Sequence, residues 1–362
     1  MKEVSIPVRP ECFDERTRVL AEWNGLSATG FRYTTGVCGV RLANGRGHVD
    51  MLPFQGQQIW DAWFDERRLT MRSMFAEPKP TREYLDTYGG FFLHCGLTAM
   101  GVPSEADDHP LHGELPNAPY PEARILLGED ADGAYIGLTG VYEHVRAFNW
   151  NYRFEPRVRL TAGETLIHAT PTVTNQMATD LEYMYMAHVN FRPELGGEIH
   201  YTADTSAKAT RVFVSIPPHL KGGGLEAYTE FLNNLAENPE RHTTLTEDLV
   251  LDPEVVMAID YRSDKDGWAH SLHERPDGTG DYIRHHLTEL PRGVRWIART
   301  ADQEALGLFL PATSEHQGYT REKEKGYIPV LPGGASIRFE LAFGALSRDE
   351  TAAAKERIAA VS

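Results

Sequence analysis

The sequence predicts an all-β fold, a large antiparallel β-sandwich with a few short helices. Short segments rich in β-branched and aromatic residues recur along the chain, and many alternate apolar with polar residues, as half-buried strands do. Gly, Asp and Asn separate these segments, and two such stretches, Gly128–Gly133 and Arg275–Gly280, are typical of hairpin turns. Strands do not alternate regularly with helices, which argues against a doubly wound α/β fold.

The segments that we expect to form strands share this composition and are Ala134–Val141, Phe154–Leu160, Glu164–Val173, Glu182–Phe191, Ala207–Ser215 and Ala335–Phe343. Helical patterns occur at Leu225–Asn238 and Arg348–Ala360. The first carries apolar residues at helical spacing, which is typical of a stripe that faces a core. No repeat or linker divides the chain, so we expect one β-sandwich domain over residues 1–362, with residues 225–238 as a helical insertion.

Composition and charge limit the classes of partner. The chain has 362 residues, of which 41% are hydrophobic and 24% charged, as in folded globular proteins. Its 36 Lys and Arg against 52 Asp and Glu give a net charge of −16, which disfavours nucleic acid and anionic membrane surfaces. A neutral small molecule is the expected partner. The sequence contains no GxGxxG, GxxxxGK[ST], GxSxG or HExxH motif, so nucleotide, hydrolase-elbow and zincin sites have no support.

The cysteines and the first residues of the chain bear on its compartment. Cys12, Cys38 and Cys95 are odd in number and widely spaced, which indicates neither a disulfide framework nor a zinc ribbon. The first residues lack the apolar core of a signal peptide, and no segment is long and apolar enough to span a bilayer. We therefore expect a cytoplasmic protein, whose oligomeric state the sequence leaves open.

The densest cluster of polar side chains lies between Asp107 and Tyr120, among Pro and Gly residues that predict a loop. It includes His112, Glu114 and Asn117. Loops that carry histidines and carboxylates on a rigid β scaffold are common places for active sites. A surface turn whose charges face water is the alternative interpretation.

Two further histidines lie in apolar segments. His188 and Asn190 are two residues apart and so project from one face of a strand, where they either satisfy hydrogen bonds in the core or line a cavity. His94 stands between apolar neighbours, after the glycine pair Gly89–Gly90 that permits close backbone approach. Taken alone, each histidine fits a structural role in the core, but Asn190 beside His188 favours a cavity.

Several short motifs occur in an order that resembles the aldose 1-epimerases, the galactose-mutarotase-like superfamily. His112–Pro119 resembles the HGxxRxxPW loop of that family, and Val173–Phe191 contains counterparts of its VxN and HxYF motifs. Val330–Gly334 resembles the late LxPGE turn, and Tyr88–Leu97 is similar to a little-characterised branch of the superfamily. The resemblance covers roughly residues 30–345.

The resemblance implies a β-sandwich of many strands with an open sugar-binding cleft, and interconversion of the anomers of a monosaccharide without a cofactor. In this family a carboxylate takes the proton of the anomeric hydroxyl while a histidine protonates the ring oxygen. Each group must be tuned to the pH at which it works. His188 matches the general acid, and His112 matches the second histidine, which polarises the ring-oxygen side.

The chain departs from the family at the base. The family has a glutamate in a Glu-Pro pair shortly before the Pro-Gly turn, and the matching pair here is Leu310-Pro311. Leucine cannot accept a proton, so either Glu114 or Glu315 has taken that role or the protein is not a simple mutarotase. A glutamate restored at position 310 should raise plain mutarotation. The leading prediction is a sugar epimerase or isomerase with His112, His188 and Glu114 as catalytic residues; the substrate-binding residues are His94, Asn117 and Asn190.

Two alternatives stay open. His94, His112, Glu114 and His188 could converge on Mn²⁺, Fe²⁺ or Zn²⁺, and such a metal would suit an isomerase or a β-eliminating lyase that acts on a keto-sugar through an enolate. The other alternative is a non-catalytic sugar-binding protein, in which aromatic residues stack on the sugar ring. The residues available for that stacking are Trp60, Trp63 and Tyr185.

Overall fold

Antiparallel strands make up most of the regular structure in the computed structural model, which describes residues 3–214 and 223–361. The strands in chain order are β1 Val4–Val8, β2 Arg18–Trp23, β3 Leu26–Arg32, β4 Cys38–Ala43, β5 Gly47–Met51, β6 Ile59–Phe64, β7 Arg67–Arg68, β8 Phe92–Leu97, β9 Ala123–Asp130, β10 Gly133–Gly140, β11 Tyr142–Arg146, β12 Trp150–Glu155, β13 Arg157–Thr161, β14 Leu166–Ala169, β15 Thr172–Asn175, β16 Leu181–Glu182, β17 Met184–Val189, β18 Glu198–Tyr201, β19 Thr210–Val212, β20 Val255–Ile259, β21 Trp268–Glu274, β22 Gly280–His286, β23 Arg292–Arg299, β24 Glu304–Ala312, β25 Val330–Leu331, β26 Ser336–Arg338 and β27 Leu341–Leu346. The helices are α1 Gly223–Glu237, α2 Tyr319–Glu324 and α3 Arg348–Ala359.

Two large sheets pack face to face over the described parts of the chain. The 12-stranded sheet follows the order β19-β20-β23-β24-β17-β8-β6-β5-β4-β3-β2, with β7 paired to β6. The 9-stranded sheet follows the order β1-β9-β10-β13-β14-β27-β22-β21-β18. Their apolar faces share one core, in which the ring of Phe92 from β8 lies 4.9 Å from that of Phe343 on β27. This arrangement confirms the predicted antiparallel β-sandwich.

A 4-stranded sheet of β11, β12, β15 and β26 explains why three predicted strands are each divided in two. The segment predicted at Phe154–Leu160 lies in β12 and β13, which meet at Pro156 and belong to different sheets. The segment at Glu164–Val173 divides in the same way, between β14 and β15, next to Pro171. The segment at Ala335–Phe343 divides between β26 and β27 near Phe339, whose N donates to Pro171 O at 2.9 Å. Proline cannot donate to a ladder, so these strands change sheets where pairing stops.

Both predicted helices are present. Helix α1 connects β19 and β20, which pair with each other, and its apolar residues Tyr228, Phe231, Leu232 and Leu235 are buried, as the helical spacing indicated. Of the strand predicted at Ala207–Ser215, only β19 forms, and Ser215 lies outside the described residues. Ser347 begins α3 with a capping box. In the described parts of the chain, none of the helices has the length and apolar character that crossing a membrane requires.

The candidate site lies on the face of the 12-stranded sheet that points away from the shared core. On β17, Ala187 and Val189 belong to the core, so His188 between them faces the other way. Leu93 of β8 pairs with His188 and shares this face, as does Trp296 of β23. We call this surface of the neighbouring strands β8, β17, β24, β23 and β20 the cleft face.

Candidate active site

Two histidines that are distant in sequence meet on the cleft face. Their rings are nearly perpendicular, at 87°, with centroids 5.3 Å apart. His188 comes from β17, whereas His112 lies in the loop after β8, with φ of 60° followed by Gly113 at 80°. The main chain holds this loop in place, because His112 N donates to Gly101 O at 3.0 Å and Gly96 N donates to His112 O at 2.9 Å. The structure thus brings together the two residues that the sequence marked as the catalytic pair.

Asn190 fixes the orientation of His188. Asn190 Nδ2 donates to Gly90 O at 3.0 Å, which sets the amide so that its Oδ1 accepts from His188 Nδ1 at 2.8 Å. The neutral imidazole therefore carries its proton on Nδ1, and its basic nitrogen is Nε2. Burial lowers the pKa of His188 to about 4, although the Asn190 hydrogen bond favours the charged form.

The environment of His112 also disfavours its charged form. Burial, and then the nearby His188, His316 and His109, lower the pKa of His112 well below its usual value. Its Nδ1 is buried and has no hydrogen-bond partner within the described parts of the chain. At neutral pH both imidazoles are therefore uncharged.

Three aromatic residues wall this pair. The ring of Tyr84 lies 4.8 Å from that of His112, and Tyr88 lies 6.0 Å from His188. The indole of Trp296 lies 5.6 Å from the His188 ring. Trp296 and His112 are half-buried, so solvent reaches the site at their edges. Aromatic faces of this kind suit the apolar C–H face of a sugar ring.

Sequence reasoning missed one carboxylate on the cleft face. Trp296 Nε1 donates to Glu254 Oε2 at 2.7 Å. Burial raises the pKa of Tyr84 and of Tyr88 well above the usual value, and the negative charge of Glu254 adds to both shifts. Glu254 follows Pro253 in a stretch that matches no motif. The one signal in the sequence is its position two residues before Val256, because residues two apart in a strand share a face.

Glu114 points to a different side of its loop. Its carboxylate accepts from Thr98 N at 3.0 Å, from Thr98 Oγ1 at 2.9 Å and from the Tyr152 hydroxyl. It also lines a cavity of 410 Å³ that Arg82 and Asp86 border from the opposite loop. The role of Glu114 as base stays a prediction. The three hydrogen bonds do not favour it, because they already satisfy the carboxylate.

Asn117 borders the same cavity and is buried. Its Oδ1 accepts from Gln58 Nε2 at 2.8 Å and from Gln55 Nε2 at 3.0 Å. Its Nδ2 has no hydrogen-bond partner among the residues that the structure describes. Asn117 therefore retains a donor, and its place is compatible with the predicted substrate contact.

His94 lies apart from the other histidines, on the core face of β8. It pairs with Ala187, its Nδ1 lies 2.8 Å from the Tyr185 hydroxyl, and its ring contacts Phe154 at 5.2 Å. Burial lowers its pKa to about 3. The sheet itself separates His94 from His188.

The four donors proposed to bind a metal therefore do not assemble. His94 faces the core, and Glu114 is directed at Thr98 and Tyr152. Within the described ranges, the side chains whose donor atoms lie close enough together to hold a metal ion are Glu198, His200 and Glu274, on β18 and β21. Lys355 Nζ lies 2.7 Å from Glu274 there, so a cation already occupies that acidic cluster.

Leu310 lies on the cleft face. Met186 of β17 pairs with Ala312 of the antiparallel strand β24. Leu310 lies two residues from Ala312, and His188 lies two residues from Met186 in the opposite chain direction, so both side chains lie on the same face of the sheet. Leu310 is only 1% exposed and packs in an apolar cluster with Cys95, Met186 and other residues. A hydrophobic side chain therefore stands at the position where the sequence resemblance led us to expect a base.

Comparisons with known proteins place the fold. A family model described as a domain of unknown function, DUF4432, matches residues 34–211. No curated protein sequence matches the chain. A Klebsiella pneumoniae structure provisionally assigned as an aldose 1-epimerase has a TM-score of 0.82 at 17% identity, over 99% of this chain and 96% of that one.

Two more distant structures have the same architecture. A galactose mutarotase-like protein from Clostridium acetobutylicum gives a TM-score of 0.56 at 11% identity, over 92% of this chain and 98% of that one. Galactose 1-epimerase from Lactobacillus acidophilus gives 0.50 at 10% identity, over 92% and 99%. The chain thus has the fold of the galactose-mutarotase-like proteins, which confirms the fold that its motifs predicted.

Proposed function

We propose that this protein is a carbohydrate epimerase of the aldose 1-epimerase type, which acts on the anomeric centre of a monosaccharide. The observation that carries the proposal is the pair His112 and His188, with rings 5.3 Å apart on an aromatic-walled cleft. The second support is the orientation of His188 by Asn190. The assignments of structures with the same fold point to the same class of reaction.

The reaction needs one proton to leave the anomeric hydroxyl and one to reach the ring oxygen. As the O1–H proton goes to a base, the C1–O1 double bond forms, the C1–O5 bond breaks, and O5 takes a proton from an acid. Rotation about C1–C2 and reversal of these steps give the other anomer. In this proposal His188 Nε2 exchanges the proton with O5, and His112 polarises that oxygen.

The surroundings suit a neutral sugar. Tyr84, Tyr88 and Trp296 offer aromatic surface to the apolar face of a pyranose. Asn117, on the cavity beside Tyr84, offers an amide donor for a hydroxyl group. The chain's net charge of −16 disfavours anionic sugars unless a local cation compensates it.

Exchange between anomers tests this proposal directly. Freshly dissolved α-D-glucose, α-D-galactose and α-D-mannose would be followed by polarimetry, and anomer exchange at equilibrium by NMR. We expect His188→Asn to lower kcat/KM by about 10²–10⁴-fold, the usual contribution of general acid–base catalysis. His286→Asn, which removes a half-buried imidazole on the other sheet, serves as the matched control and should stay within twofold. Absence of exchange by the wild-type protein, or equal rates for both variants, would overturn the proposal.

A further inference from the structure

The cleft needs a carboxylate that the sequence comparison did not identify. Leu310 occupies the position matched to the family's base and lies in an apolar cluster. Glu114 accepts three hydrogen bonds on the other side of its loop. Glu315 is paired with Arg211 at 2.7 Å and with Lys325 at 2.8 Å. None of these three side chains is free to take a proton beside His188.

Strand register places Glu254 on the cleft face. Val255 and Met257 of β20 lie in the core, so the residues that alternate with them, Glu254 and Val256, face the other way. Val256 pairs with Trp296 of β23, which makes Glu254 a diagonal neighbour of the indole. The hydrogen bond of 2.7 Å from Trp296 Nε1 to Glu254 Oε2 agrees with that register.

The indole of Trp296 links Glu254 to the histidine pair. Its nitrogen contacts the carboxylate, and its ring contacts His188 at 5.6 Å between centroids. β24 lies between β23 and β17, and there Gly307, paired with Trp296, and Ala305 present little or no side chain on this face. A large residue at either position would separate the indole from His188, so these small residues bring the two groups together.

The main chain at Glu254 is anchored, whereas its carboxylate stays accessible. The Tyr228 hydroxyl of α1 donates to Glu254 O, so the helix fixes the backbone at this point. The side chain is half-buried, as is Trp296. Among the described residues, Trp296 is the donor to this carboxylate, through Oε2, so Oε1 remains available as an acceptor.

We propose that Glu254 is the base of the epimerase reaction, an inference that rests on the proposed function. A Glu254 carboxylate oxygen takes the proton of O1–H as the C1–O5 bond breaks, and the electron pair of that bond goes to O5. The step starts from the fraction of molecules in which His188 is protonated on both nitrogens: Nε2 gives its proton to O5, and both transfers reverse when the ring closes on the other face. Glu254 and His188 together hold one proton throughout, so no further reactant is required.

The test compares four variants in the anomer-exchange assay, with α-D-glucose and α-D-galactose as probes. Glu254→Gln keeps the shape and the acceptor for Trp296 Nε1 and should lower kcat by at least 100-fold with little change in KM. Glu254→Asp should recover part of that loss. Glu230→Gln, which removes an exposed carboxylate from α1, should stay within twofold of wild type. Trp296→Phe removes the indole donor and replaces the indole by a smaller aromatic ring; it should have an intermediate effect on kcat, since it frees the carboxylate to move.

The outcomes separate this inference from the proposal on which it rests. If the wild type exchanges anomers and Glu254→Gln keeps its kcat within threefold, Glu254 is not the base, whereas the epimerase proposal stands. If Glu254→Gln raises KM without changing kcat, Glu254 binds substrate and the base assignment fails. If the wild type exchanges none of the anomers, the proposed function and this inference fail together. Thermal unfolding of each variant verifies that any loss belongs to the site.

Discussion

The two faces of β8 and β17 present a natural comparison between histidines. His94 pairs with Ala187, and one step along the ladder Leu93 pairs with His188, so the two imidazoles lie on opposite faces of the same strand pair. Both are nearly inaccessible, at 0% and 4% exposure. Burial lowers the pKa of His94 to about 3 and that of His188 to about 4. Burial and pKa therefore do not distinguish the core histidine from the histidine that we propose to be catalytic.

Neighbours distinguish them instead. His94 contacts Phe92, Phe154 and Tyr185 in the shared core, where a substrate has no access. His188 contacts His112 and Trp296, which are both half-buried. Two residues of the same type, adjacent in register, thus have different surroundings because successive side chains of a strand point to opposite faces.

Leu310→Glu is the largest predicted disturbance of the cleft face. The sequence led us to expect that this change would restore mutarotation. The structure places Leu310 in an apolar cluster at 1% exposure, where an unpaired carboxylate lacks solvation. We expect a loss of about 3–5 kcal/mol in the free energy of unfolding, measured by urea titration, and no gain in anomer exchange.

Leu310→Met supplies the control for that experiment. It conserves volume and polarity in a cluster that already contains Met184 and Met186, so it should cost less than about 1.5 kcal/mol. If Leu310→Glu were folded and exchanged anomers faster than wild type, position 310 could hold the base. The assignment of that role to Glu254 would then be wrong.

The pH dependence of kcat/KM distinguishes anomer exchange from abstraction of a carbon-bound proton. Anomer exchange requires one proton on the pair formed by His188 and the carboxylate, whichever group holds it. Because the pKa of His188 is about 4, its protonated fraction rises about tenfold for each unit that the pH falls above this value. We therefore expect kcat/KM to rise as the pH is lowered from 8 to about 5, and the His188→Asn variant to lose this dependence.

The opposite slope would identify a different reaction. An enzyme that enolises a keto-sugar needs a deprotonated base, so its kcat/KM would fall as the pH approaches 4 and His188 becomes charged. Profiles measured at equal ionic strength, within the range where thermal unfolding shows the protein folded, separate the two outcomes.

Much of the fold could be predicted from the sequence, because strand alternation and turn residues are local signals. The hairpins at Gly128–Gly133 and Arg275–Gly280 form where they were predicted. The division of three predicted strands between sheets was not foreseen. Pro156 and Pro171 were visible, but a proline does not reveal whether a strand ends or passes to another sheet.

The site was predictable only where a motif marked it. His112 and His188 lie in motifs and meet on the cleft face, and Asn190 lies beside His188. Glu254, the proposed base, could be recognised only from the pairing of its strand with that of Trp296, and strand pairing cannot be read from a single sequence. The grouping of His94 with the other histidines failed for the same reason, since convergence depends on which face of β8 the ring occupies.

The smallest predicted effect concerns stability and completes the comparison of the two histidines. In the unfolded chain a histidine protonates near pH 6.5, whereas folded His94 does so only near 3, so its contribution to stability is lost as the pH falls between these values. His94→Leu should remove that acid lability. At pH 7 it should cost about 1–3 kcal/mol in the free energy of unfolding, because the buried Tyr185 hydroxyl loses its partner.

The folded His94→Leu variant should keep wild-type kcat, whereas His188→Asn, which also removes a buried imidazole, should lose it. If His94→Leu lowered kcat as strongly as His188→Asn, the core face would contribute to catalysis and the separation of the two faces would not hold.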